Sequence, residues 1–91
     1  MAEVVVTLKV MPDNPNVDLK VLEEKVKLLI ENFGGEPAKT EIIPIAFGIQ
    51  SLNITFVMDE NIGSTEPLEE DVSQVKDVAS VEVTDVRRAV G

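Results

Sequence analysis

Few side chains in this sequence carry the groups that chemistry usually needs. There is no Cys and no His, which removes thiol nucleophiles, disulfides, Cys/His zinc sites and imidazole general bases together. Two acidic runs remain as candidate cation sites, Asp59-Glu60-Asn61 and Glu69-Glu70-Asp71. Their spacing does not match a calcium loop. The simpler reading puts Glu69, Glu70 and Asp71 in the first turns of a helix, where the dipole favours them, and makes the other run a solvated turn. Phe47 stands in a connection framed by Pro44 and Gly48. It reads either as a locally packed satellite or as an interface anchor presented by a fixed loop. Arg87-Arg88 is an adjacent basic pair in an acidic chain, read as a solubilising strand end or as a cationic contact.

The elements that must position these groups are legible in the periodicity. Val4 to Met11 is rich in β-branched residues and alternates, with Val6, Leu8 and Val10 on one face and Thr7 and Lys9 on the other. Pro12 and Pro15 stop this strand. Asp18 is the expected N-cap of a helix whose stripe is Leu19, Leu22, Val26, Leu29 and Phe33. Glu23 and Lys27 form a pair four apart on its wet side, and Gly34-Gly35 ends it. Strands are expected over Lys39 to Ile45 and Ser51 to Met58, with the Pro44-to-Ile49 segment connecting them. Pro67 suits the first turn of a short helix with Leu68, Val72 and Val75 inward, and Val78 to Val86 makes the last strand.

The order β-α-β-β-α-β in 91 residues predicts an α+β, ferredoxin-like sandwich, a four-stranded antiparallel sheet with two helices on one face. One domain, 1–91, is expected, monomeric when free. Eight Lys and Arg against seventeen Asp and Glu leave a net charge of −9, which disfavours nucleic acid and anionic membrane surfaces. The first strand has no base-stacking aromatic, and Phe56 shares the phase of Leu52 and Ile54, so it is expected in the core. No apolar run approaches a membrane span and no signal peptide precedes the first strand, so a cytoplasmic protein is expected.

From Val4-Val5-Val6-Thr7-Leu8-Lys9-Val10-Met11-Pro12 to Thr84-Asp85-Val86-Arg87-Arg88, the chain closely resembles the archaeal translation elongation factor 1-beta family and the exchange domain of its eukaryotic relatives. The most specific matches are Pro44-Ile45-Ala46-Phe47-Gly48-Ile49, the Asp59-Glu60 turn leading to Gly63 and Thr65, and Ser80 to Arg88. The resemblance implies a guanine-nucleotide exchange factor for elongation factor 1-alpha, the GTPase that carries aminoacyl-tRNA to the ribosome, with no covalent catalysis, no cofactor and no metal of its own. In eukaryotic relatives an aromatic in the Gly-flanked loop docks into the GTPase, and a lysine next to the C-terminus reaches its magnesium site. Phe47 falls on the first position. Arg88 falls opposite the second, with Ala89, Val90 and Gly91 following it. The partner contact is therefore expected at Pro44, Ile45, Phe47 and Gly48, together with Arg87 and Arg88. The alternative is a small-molecule-binding regulatory domain of the same fold.

Overall fold

The computed structural model describes residues 2–89; Val90 and Gly91, which follow the basic pair, lie outside the described residues. Strand β1 (Glu3–Pro12) leads to helix α1 (Leu19–Phe33), strands β2 (Glu36–Ala46) and β3 (Ile49–Asp59), a 3₁₀ turn (Glu60–Ile62), helix α2 (Glu66–Ser73) and strand β4 (Val78–Ala89). The four strands form one sheet in the order β2-β3-β1-β4, every neighbouring pair antiparallel. This is the ferredoxin-like arrangement that the element order predicts, with β1 central and β4 beside it at the edge.

Helix α1 forms where its caps and stripe place it. The Asp18 carboxylate accepts from the N–H groups of Lys20 at 3.0 Å and Val21 at 3.3 Å, satisfying first-turn donors. Gly34 closes the helix in the left-handed conformation, φ 108°. The buried line of the helix is Leu22, Val26 and Ile30. Leu19, Leu29 and Phe33 flank it, half-buried against the core. The expected stripe is thus rotated by a fraction of a turn, because its centre runs i, i+4, i+8 through Ile30 and not through Leu29. Lys27 and Glu23 pair at 2.7 Å on the wet side.

The core lies between the helices and one face of the sheet. Val6, Leu8, Val10, Leu52, Ile54, Phe56 and Met58 supply the sheet side, and Leu22, Val26, Ile30, Leu68 and Val72 the helix side. Phe56 is fully buried, as its phase predicts. The other face of the sheet is wet: the Thr7 and Thr55 hydroxyls meet across β1 and β3 at 3.3 Å, and Lys39 pairs with Glu41 at 3.2 Å. Pro67 sits in the first turn of α2, and Glu66 and Glu69 lie at its positive end.

Candidate functional site

Strands β2 and β3 continue farther toward each other than the Pro/Gly pattern suggests. Pro44, Ile45 and Ala46 belong to β2 and Ile49 to β3, leaving a loop of only Phe47 and Gly48 between the paired residues Ala46 and Ile49. Proline is tolerated here because β2 is an edge strand. Both loop residues have positive φ, 53° at Phe47 and 79° at Gly48, the requirement of the tight hairpin turn whose twist matches the flanking strands. Gly48 meets that requirement without strain. Phe47 does not, since a bulky L-residue in the left-handed region costs about 1–2 kcal/mol. Nothing in the fold compensates, because Phe47 is 96% exposed. The satellite reading of Phe47 is therefore excluded: the ring stands in water at the tip of the molecule. Ile42, Ile43 and Ile45 continue this apolar strip down β2, each about half exposed.

The register at the edge of the tip also differs from a plain hairpin. Pro44 pairs with Gln50 and Ala46 with Ile49, so Ile45 is an extra residue on β2. Such a bulge bends and twists its strand and turns a side chain outward. Below the tip, an open groove runs between the β1–α1 connection and the hairpin, bordered by Pro12, Pro15, Asp18, Lys20, Ile42 and Gln50.

The basic pair lies at the other end of the sheet. Arg88 pairs with Val4 and Arg87 with Val5, and Val4 in turn pairs with Met58 of β3. From Met58 back to Ile49 is about nine residues, so Arg88 and the Phe47 tip are separated by about 30 Å. Pro44, Ile45, Phe47 and Gly48 are brought together, and Arg87 and Arg88 stand apart from them.

The two arginines face opposite ways, and irregularities in β4 decide which faces where. Leu8 pairs with Val83 but Thr7 with Asp85, leaving Thr84 as an extra residue, and Ala79 is extra in the same way between Pro12 and Met11. The core-side positions of β4 are consequently Val78, Val81, Val83, Val86 and Arg88. Without the extra Thr84, strict alternation from Val83 would have turned Arg87 to that side. The Thr84 hydroxyl donates to the Thr7 carbonyl at 3.5 Å across the bulge. On the helix side Arg88 donates to the Glu60 carboxylate, which holds its pKa above the usual guanidinium value. Arg87 pairs with Asp85 of its own strand at 2.9 Å on the wet face.

Glu60 is the site neighbour that sequence reasoning missed, having been read as part of a solvated turn. Asp59 caps this 3₁₀ turn by accepting from the Asn61 N–H at 2.8 Å. Among the described residues no group of three or more acidic side chains converges to hold a metal ion. No helix among them is long and apolar enough to cross a membrane.

Comparison with known proteins puts this arrangement among the nucleotide-exchange factors of translation elongation. The chain belongs to the family described as the EF-1 guanine nucleotide exchange domain, whose profile matches residues 5–89. Curated relatives named elongation factor 1-beta align along nearly their whole length. That of Methanosphaera stadtmanae is 46% identical over 88 residues, 97% of this chain and 98% of the relative. Those of Methanobrevibacter smithii and Staphylothermus marinus are 46% and 44% identical, with the same shares covered. Among solved structures, a chain described as BlrP1 BLUF superposes with a TM-score of 0.60 at 14% identity, covering all of this chain and 57% of that one. That likeness concerns the fold alone. The family assignment favours exchange over the small-molecule alternative.

Proposed function

We propose that the protein, acting as one domain over residues 1–91 and as a monomer in the cytoplasm, promotes release of GDP from elongation factor 1-alpha so that GTP can take its place. The observation that carries this reading is Phe47, a strained aromatic left in water at the tip of a two-residue hairpin. Strain kept at an exposed position supports a role in contact with a partner. In this reading Phe47 enters a pocket on the GTPase, flanked by Pro44, Ile45 and Gly48. Arg88, about 30 Å away along the strands, reaches the nucleotide site.

The mechanism is linkage. A protein that binds the nucleotide-free GTPase more tightly than the loaded form weakens nucleotide binding by the same factor. No bond is made or broken in such a step, which suits a chain without Cys or His. Magnesium bound with the nucleotide on the GTPase would supply positive charge to the phosphates, and the Arg88 guanidinium delivered there would compete with that charge and favour release of GDP. Entry of GTP then displaces the factor by mass action.

The test is direct. Substoichiometric protein should accelerate the release of labelled GDP from elongation factor 1-alpha in stopped-flow, leaving GTP itself chemically unchanged. Equal release rates with and without the protein at micromolar concentration would overturn the reading.

A further inference from the structure

Arg88 is next to last in the edge strand β4, with its side chain 71% exposed. A long cationic side chain in that position has many rotamers, and ordering it on docking costs conformational entropy. Among the described residues it meets one carboxylate, that of Glu60. The backbone of Glu60 is pinned on both sides. Its N–H donates to the Ala2 carbonyl at 3.2 Å, and its carbonyl accepts from the Gly63 N–H at 3.2 Å. The cap from Asp59 fixes the same turn. An acceptor carried on a pinned backbone therefore engages a donor on a more exposed strand end. It engages one terminal nitrogen, Nη2, of a guanidinium that carries five N–H donors, so the others stay available to phosphate or carboxylate oxygens. Arg87 differs in this respect, because its partner Asp85 rides on the same strand.

We propose that Glu60 is a positioning residue for nucleotide exchange: its carboxylate holds the Arg88 guanidinium in one place on the helix side of the sheet, so that the cation meets the partner's nucleotide site already oriented. The extra residue Thr84 is what brings Arg88, and not Arg87, within reach of Glu60. This inference rests on the reading of the protein as an exchange factor.

The experiment measures release of labelled GDP from elongation factor 1-alpha against exchange-factor concentration for the wild type, Glu60→Gln, Glu60→Ala, Arg88→Ala and the Glu60→Ala/Arg88→Ala double variant. Nitrogen-15 relaxation of the Arg88 Nε is recorded in the free wild type and in Glu60→Ala. Glu60→Ala should lower the saturating release rate about three- to fivefold, the scale of an exposed ion pair, with half-saturation and melting temperature unchanged. Glu60→Gln keeps an acceptor oxygen and should retain more than half of the activity. In the Arg88→Ala background, removing Glu60 should have no further effect. The Arg88 Nε should lose order in Glu60→Ala. A faster rate in Glu60→Ala would overturn the proposal by showing that the pair masks the cation. An undiminished effect in the Arg88→Ala background, or unchanged Nε order, would equally overturn it. A wild type that fails to accelerate release overturns the exchange reading and this proposal together, whereas an active wild type matched by Glu60→Ala overturns the proposal alone.

Discussion

A phenylalanine at positive φ with its ring in water is unfavourable twice over, through backbone strain and through exposed apolar surface. The two components can be separated by substitution. Phe47→Ala removes the ring and leaves the fold alone, so the melting temperature should move by less than about 2 °C. Complex affinity should fall by roughly 2 kcal/mol or more, the cost of an anchor residue. Phe47→Asn should lose affinity as well, yet melt higher than wild type by roughly 2–5 °C, because Asn tolerates the left-handed region that this turn requires. Calorimetry and titration against the nucleotide-free GTPase read both effects. A drop of 10 °C or so in Phe47→Ala would mean that the ring supports the fold. The Pro/Gly frame around Phe47 was visible in the sequence, and its exposure was not, since a loop aromatic packs locally as often as it projects. A second residue-scale effect is pH-dependent. The Lys27 ammonium bonded to Glu23 holds that carboxyl below the usual carboxylate range. A depressed folded-state pKa adds stability above the unfolded value, and that stability is lost as pH falls through the folded one. Glu23→Gln should therefore melt slightly below wild type at neutral pH, and the gap should narrow as pH falls through the carboxylate range. Circular-dichroism melts across that range check it.

At the scale of elements, helix α1 was legible from end to end, because a capping Asp, a 3.6-residue stripe and a closing Gly all agree on its limits. Asp18→Ala should accordingly cost about 1 kcal/mol of stability in denaturant unfolding, since two first-turn N–H groups lose their acceptor. The hairpin was less legible. Pro44 and Gly48 read as loop punctuation, whereas an edge strand tolerates Pro44 and only Phe47 and Gly48 actually turn. Gly48→Ala should destabilise by roughly 1–2 kcal/mol through φ alone. Space is not the cause, because a Cβ there would stand 3.5 Å from Pro15. Strand β4 carried a signal that a search for strict alternation passes over. Its core-side valines fall at 78, 81, 83 and 86, and each interval of three marks an extra residue. Those bulges determine the orientation of the basic pair, so Arg88→Ala should slow GDP release markedly at nearly unchanged complex affinity. Arg88→Lys should keep much of the activity. Arg87→Ala should behave as a surface change, and a damaging Arg87→Ala would place the wrong face of β4 against the GTPase.

At the scale of the whole molecule, the sheet sets the distance between the two candidate contacts. Phe47 and Arg88 lie at opposite ends of its strands, and the longest dimension of the protein is 42 Å. The core between them is continuous, with residues from β1, β3 and both helices, so the spacing does not depend on a hinge. Sequence reasoning named Phe47 and Arg88 as candidate contacts but not their separation, because separation depends on which strands pair and in what register. Groups this far apart that share no contact within the protein contribute additively unless their common partner couples them. Phe47→Ala should therefore raise the half-saturating concentration in the exchange assay, Arg88→Ala should lower the saturating rate, and the double variant should show both changes at once. Its loss in rate over half-saturation should equal the sum of the single losses in free energy to within about 0.5 kcal/mol. A coupling of 1 kcal/mol or more would show that docking of the tip and delivery of the cation are one event, transmitted through the partner.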